Sequence, residues 1–177
     1  LHTIMRSHDG EDLVKMCQVL KIKPILPHQY LLATGAVAPA HVANLMGSFD
    51  VLLNPSHGEG FGLPIIEAAA CGTPAIVTNF SSMPEVAGST SWKVGGQPVW
   101  TNFNSWQVTP SIDGLVAALE EAYAEAGADR LKRRKDTAKH AAGYALPTVS
   151  KLYLEPVMEE VCRRLDWDAT ASEIAEA

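Results

Sequence analysis

The chain has 177 residues, a hydrophobic fraction of 47%, a charged fraction of 19% and a net charge of −6. That length suits one domain with a real core, and the acidic balance argues against a nucleic-acid surface, so nucleic acid is not an expected partner. No run of about 18 apolar residues is present to cross a membrane, and Cys17, Cys71 and Cys162 form no C-x-x-C pair, so they read as reduced thiols of a cytoplasmic protein.

The opening, LHTIMRSHDG, has no basic segment followed by a long apolar one, so it does not read as a secretory signal. It starts inside an apolar run without an initiator Met, which suggests that an N-terminal part has been removed. LHTIM is expected to be a short buried strand. GEDLVKMCQVLKI places Leu13, Val14, Met16, Cys17 and Leu20 at helical spacing after an acidic first turn. KPILP is expected as a strand closed by prolines, and PAHVANLMGSF as a short helix with Pro39 in its first turn.

DVLLNPS is a continuous apolar run ended by Asn54, Pro55 and Ser56, as in a parallel strand buried on both faces. LPIIEAAACG predicts a helix from Pro64 to Gly72. TPAIVTN predicts another buried strand, SMPEVAG one or two helical turns, and SWKVGG a brief strand. GGQPVWTNFNSWQVTP carries Trp100, Phe103 and Trp106, which read either as loop packing or as exposed rings that stack on sugars or a partner.

Helical patterns follow. SIDGLVAALEEAYA puts Ile112, Leu115, Val116 and Leu119 on one face. DRLKRRKDTAKHAAGYA reads as a basic exposed helix, either a solvated face or a peripheral contact with an anionic membrane. LPTVSKLYLEPVMEEVCRRLDW reads as a long helix that Pro156 should kink or break. Its Leu152, Tyr153, Leu154, Val157 and Met158 are expected to be partly uncovered, and the polar DATASEIAEA to fray. Alternating strands and helices imply an α/β fold with a Rossmann-like, doubly wound parallel sheet and added C-terminal helices. The expected division is an α/β core over residues 1–110, packed helices over 111–165 and a polar tail over 166–177.

The loop from Asn54 to Gly62 follows a strand, and open α/β sheets bind ligands at the carboxyl ends of their strands. Gly58, Gly60 and Gly62 let the backbone turn sharply and a ligand approach closely. The loop enters a helix whose free N–H groups and dipole favour an anion such as phosphate. Glu59 and Glu67 suit hydrogen bonds from hydroxyls instead. Phosphate flanked by hydroxyl-bearing sugars describes a nucleotide sugar.

EGFGLPIIEAAACGTPAIVTNFSSMPEVAG, from Glu59 to Gly88, resembles the donor-site signature of retaining glycosyltransferases of the GT-B fold, of the group 1 type. The matching parts are Pro55-Ser56, Glu59-Gly60-Phe61-Gly62, Glu67, Cys71-Gly72, Pro74 and Pro84-Glu85-Val86-Ala87-Gly88. The resemblance covers Leu1 to Gly96 and, more weakly, the later helices. It implies a hexosyltransferase using a UDP- or GDP-sugar, with no metal and no cofactor beyond that donor. Glu59 would contact the transferred sugar in a catalytic role. Gly60, Phe61, Gly62 and Leu63 would bind the donor, and Glu67 the ribose. In this fold Ile25, Leu26, Pro27 and Tyr30 stand where the nucleobase passes, or they are strand-end packing. His57 is either a phosphate or sugar contact or a capped loop residue. Glu85 is either a second acid near the donor or a first-turn dipole partner, the latter being preferred.

The family's Arg/Lys pair, which neutralises the departing diphosphate, would precede Leu1. The expectation is therefore a donor domain without its first βα unit, inactive alone, with the sugar, lipid or polysaccharide acceptor held mainly by an N-terminal domain. A sugar-nucleotide epimerase of the same fold and a non-catalytic nucleotide-binding module are the alternatives.

Overall fold

The structure is a computed structural model and describes residues 12–24, 30, 31 and 34–165. The strand expected at LHTIM, the one at KPILP beyond Pro24, the candidates Ile25, Leu26 and Pro27, and the tail over 166–177 lie outside the described residues. The chain divides into two compact units, residues 1–44 and 45–177.

In the first unit, helix α1 (Leu13–Val19) starts at Asp12, whose carboxylate accepts the N–H of Lys15 at 3.1 Å and so caps the helix. Of the apolar face expected there, Cys17 is buried, while Val14, Met16 and Leu20 are exposed. Helix α2 (Pro39–Gly47), which contains the boundary between the units, begins on its proline, as expected, and its Met46, already in the second unit, is buried.

The second unit is built on strands β1 (Leu52–Asn54), β2 (Ala75–Thr78) and β3 (Trp92–Val94), all parallel in the order β1-β2-β3. Helices α3 (Leu63–Ala70) and α4 (Met83–Ala87) provide the β1–β2 and β2–β3 crossovers. Strand β2 is buried on both faces. Its Ala75 and Val77 pack with Ile65, Met83, Val86 and Ala87 on one side. Its Ile76 packs with Val94 and Ala118 on the other. Ala118 belongs to helix α5 (Ile112–Ala124), so helices cover both faces and the sheet is doubly wound. The apolar run DVLLNPS differs from expectation. Among the described residues β1 pairs with β2 alone, and Leu53 is 46% exposed.

The apolar face expected on α5 also turned out differently. Leu115 and Ala118 meet the sheet, whereas Ile112, Val116 and Leu119 are exposed. The small Ala118 lets the helix approach, so the contact stripe is rotated from the most hydrophobic one.

GGQPVWTNFNSWQVTP forms an antiparallel hairpin of β4 (Gly96–Trp100) and β5 (Trp106–Pro110). Backbone bonds Ser111 N–Gly95 O and Thr101 N–Ser105 O, each 3.0 Å, bracket the ladder. Pairs alternate between bonded and unbonded, which leaves Pro98↔Val108, Gly96↔Pro110 and Trp100↔Trp106 unbonded. Both prolines therefore sit where a missing N–H costs the ladder nothing. A Cβ on Gly96 would lie 2.1 Å from the Thr109 carbonyl oxygen, so only glycine fits.

Helix α6 (Gly127–Ala141) is basic, but its arginines turn inward rather than to solvent. Arg134 donates to the carbonyls of Phe49 at 2.7 Å and Gly47 at 2.8 Å. Arg133 pairs with Glu125 at 2.8 Å, donates to Thr90 O at 2.6 Å and stacks 4.3 Å over Trp92. Arg130 reaches Asp50 at 3.3 Å. The arginines of the expected basic face thus form a structural clamp, while Lys132, Lys135 and Lys139 stay exposed.

After the 3-10 turn Ala142–Tyr144, helix α7 (Leu146–Val149) runs through a π-turn at Ser150–Leu154 into α8 (Glu155–Leu165). Pro156 cannot donate to the i−4 carbonyl and its ring crowds it. The wider turn just before it absorbs that conflict, so the helix continues without a break. Leu152, Tyr153, Leu154, Val157 and Met158 are exposed, as expected.

Replacing Arg134 by Met removes two charged hydrogen bonds while keeping an apolar stem. Urea unfolding should show a loss of about 1.5–3 kcal/mol, against a change within about 0.5 kcal/mol for Lys135→Met on the exposed side. Equal effects would show that the arginine bonds do not hold α6.

Candidate functional site

Because the three strands run the same way, their carboxyl ends share one edge. The glycine loop leaves β1 there, Asn79–Ser82 leaves β2, and the hairpin leaves β3. Backbone bonds stitch them together: Asn79 N to Val94 O at 2.8 Å, and Val108 N to His57 O at 2.9 Å.

Two serines hold the loop in place. Ser81 accepts the N–H of Glu59 at 3.0 Å. Ser82 lies 3.0 Å from the carbonyl of Glu59 and 3.1 Å from that of Phe61. Ser82 is the N-cap of α4 but makes no capping bond, because its hydroxyl is turned to the loop. Ser81 holds φ at +54°, a conformation non-glycine residues seldom adopt.

Ser56 Oγ lies 2.7 Å from Glu59 Oε1 and 3.0 Å from Asn54 Oδ1. One hydroxyl proton serves one acceptor, and the shorter contact assigns it to the carboxylate. Turning the Asn54 amide then presents its nitrogen to Ser56, which satisfies the otherwise unpartnered buried Nδ2. Glu59 is thereby oriented through a chain that begins at the end of β1.

Gly62 ends the loop at φ +89°, and a Cβ there would lie 2.8 Å from Ile65 Cδ1. Helix α3 has no side-chain cap, and Pro64 stands in its first turn. Among the described residues, no acceptor is found for the N–H groups of Gly60, Phe61, Gly62 and Leu63. Four donors at the positive end of a helix suit an anion. Glu67 lies one turn into α3, exposed, and its carboxylate makes no hydrogen bond among the described residues.

Behind the loop, the Phe61 ring meets Tyr144 edge-on at 5.9 Å, and Tyr144 meets His140 at 5.5 Å. His140 Nε2 donates to Val86 O at 3.1 Å, which fixes its tautomer. Burial, with Glu85 and Tyr153 adding to it, pushes the Tyr144 hydroxyl above the usual tyrosine range. Gly88 packs against His140 at φ +71°, ψ −173°, where a Cβ would fall 2.7 Å from the ring.

The structure brings Glu59, Gly60, Phe61, Gly62, Leu63 and Glu67 into one loop-and-helix unit. His57 contributes its carbonyl to the hairpin, while its imidazole makes no hydrogen bond among the described residues. Leu26 and Pro27 lie outside the described residues; Tyr30 lies in the first unit and is 69% exposed. No group of three or more metal-ligating side chains occurs among the described residues, and no helix there is long and apolar enough to cross a membrane. Sequence reasoning missed the clamping by Ser81 and Ser82 and the support from His140 and Tyr144. The adjacent serines before Pro84 were a usable signal. Nothing local marks His140 or Tyr144.

Two outcomes follow from this packing. Gly88→Ala should cost about 1–3 kcal/mol, since this backbone region is nearly glycine-only. A double-mutant cycle with His140→Ala should recover part of that loss, and strict additivity would show that the ring is not the obstacle. The raised hydroxyl pKa of Tyr144 gives stability that is full below about pH 10 and is lost as pH rises above it. Tyr144→Phe should therefore flatten the alkaline fall in unfolding stability, and an unchanged fall would remove Tyr144 as a cause.

Comparison with known proteins shows the family of the chain. The profile of the family described as glycosyl transferases group 1 matches residues 12–126. A GDP-mannose-dependent alpha-(1-6)-phosphatidylinositol dimannoside mannosyltransferase of Mycobacterium tuberculosis is 46% identical over 54 residues, 30% of this chain and 14% of that protein. An MMP alpha-(1->4)-mannosyltransferase of Mycolicibacterium hassiacum is 33% identical over 98 residues, 50% of this chain and 24% of that protein. A D-inositol 3-phosphate glycosyltransferase of Gordonia bronchialis is 41% identical over 69 residues, 37% of this chain and 15% of that protein. The chain thus spans less than a quarter of the length of each of these relatives. The family match itself covers more than half of the chain and takes in the glycine loop, both glutamates and the hairpin, and the chain belongs to the glycosyl transferases group 1 family.

Proposed function

We propose that this chain is the donor-binding part of a retaining glycosyltransferase that moves a hexose from a nucleoside-diphosphate sugar to a hydroxyl acceptor. The observation that carries this reading is the cluster of unpartnered N–H groups from Gly60 to Leu63 at the start of α3, flanked by Glu59 and Glu67. The N–H groups receive the distal phosphate, where the helix dipole adds to them. Glu59, held by Ser56, accepts a hydroxyl of the transferred sugar. Glu67 accepts the ribose hydroxyls.

In the transfer, the bond from the anomeric carbon to the diphosphate oxygen breaks, and its electron pair stays with the diphosphate. The acceptor oxygen bonds to that carbon on the same face, and its proton passes to the leaving phosphate oxygen. Neither a metal nor an organic cofactor has a part in this scheme. Mannosyltransferases among the relatives make GDP-mannose the donor to try first. The acceptor is a sugar, lipid or polysaccharide held largely by a further domain. The cytoplasm, where nucleotide sugars are made, is the compartment that fits. A membrane contact through α6 would fall to its exposed lysines, Lys132, Lys135 and Lys139, since its arginines are engaged in the fold.

Calorimetric titration with GDP, UDP and ADP tests the reading. One nucleotide should bind, and Glu67→Ala should weaken it by about 1–3 kcal/mol, the worth of a hydrogen bond to a charged group. If full-length protein bound none of the three, the donor-site reading would be wrong.

A further inference from the structure

The β4–β5 hairpin carries an aromatic surface that the fold does not use. Trp100 and Trp106 face each other across the ladder as an unbonded pair, the kind in which side chains come closest. Their rings meet edge to face at 5.3 Å and 75°, so ring faces stay open. Trp100 is 54% exposed, Trp106 57% and Phe103, in the turn, 80%. Alternation places Trp106 on the same hairpin face as the buried Val108 and Pro110. The inward face therefore continues past the core and ends in two uncovered indoles.

That surface lies beside the donor loop for two independent reasons. The hairpin leaves β3 at the same sheet edge where the glycine loop leaves β1. Val108 is also bonded directly to His57, two residues before Glu59. Trp106 stands two residues from Val108, about 7 Å along the strand, a span that a short oligosaccharide covers.

The hairpin's chemistry selects its ligand. From Gly95 to Ile112 the sequence holds no charged residue. Gln97, Asn102, Asn104 and Gln107 surround the indoles with neutral amides. A pyranose has an apolar C–H face that stacks on an indole and a rim of hydroxyls that amides bind. Anionic lipid headgroups or nucleotides would call for Lys or Arg here.

We propose that Trp100 and Trp106 form a stacking platform for a neutral pyranose ring of the acceptor glycan, next to the donor loop. Naming the ligand as the acceptor rests on the transferase reading above.

Saturation-transfer NMR on the chain with α-mannotriose, maltotriose and cellotriose, run beside nucleotide titrations, tests the platform. At least one trisaccharide should receive magnetisation from the indole protons. Its affinity should fall tenfold or more in Trp106→Ala and a few-fold in Trp106→Phe, with nucleotide binding unchanged. Slow exchange of the Thr101 and Val108 amides shows that the hairpin is intact and still seated on the loop; where the alanine variant loses it, the phenylalanine variant decides. No transfer to any of the three sugars, or transfer untouched by both substitutions, overturns the platform. So does tryptophan-dependent binding to phosphatidylcholine vesicles in place of sugar binding, which would make the hairpin a membrane contact. Sugar binding by the chain, with no nucleotide bound by the full-length protein, would bring down the donor reading and leave the platform standing, whereas nucleotide binding without sugar binding would do the reverse.

Discussion

The constraint behind the candidate site is that β1, β2 and β3 run in the same direction. Parallel strands need crossovers, so each carboxyl end opens into a loop at one shared edge. The glycine loop, the serine pair and the hairpin meet there because topology leaves them no other exit. Burial of β2 on both faces makes that edge rigid: Ala75 and Val77 anchor one helix layer, and Ile76 anchors the other. A loop rich in glycine would otherwise be a poor place to fix a carboxylate.

Rigidity reaches the loop through short bonds of low sequence cost. Ser81 and Ser82 hold its backbone, and Ser56 holds the Glu59 side chain. The N–H groups from Gly60 to Leu63 are left over. That division is coherent physically. Donors that the fold satisfies give shape, and donors that it leaves open give affinity for an anion.

Helix α6 is the second support. Its arginines bind main-chain carbonyls at the amino end of the sheet unit, and its last turn and the 3-10 turn after it set His140 and Tyr144 behind Phe61. Two glycines of the motif also serve that packing. Gly72 and Gly88 both hold positive φ, and each faces α6, against Arg134 O and the His140 ring. A motif that looks like a ligand signature is therefore partly a packing signature for a helix some 50 residues later.

Much of this was legible in the residues themselves. Periodicity and glycine and proline positions marked α3, β2, α4 and α5, because local sterics and burial decide those elements. Glu59-Gly60-Phe61-Gly62 and Glu67 announced a loop-to-helix site, since spacing alone puts them there. Other features depended on distant partners. RLKRRK reads as a solvated face until the carbonyls of Gly47 and Phe49 come within reach. Trp100 and Trp106 read as loop residues until antiparallel pairing sets them opposite each other. The sequence by itself determined which segments form helices, strands and a ligand-ready loop, because those follow from backbone geometry and neighbouring side chains. Only the tertiary structure decided which cations are spent inside the fold and which aromatic rings remain free, because both depend on groups far apart in the chain.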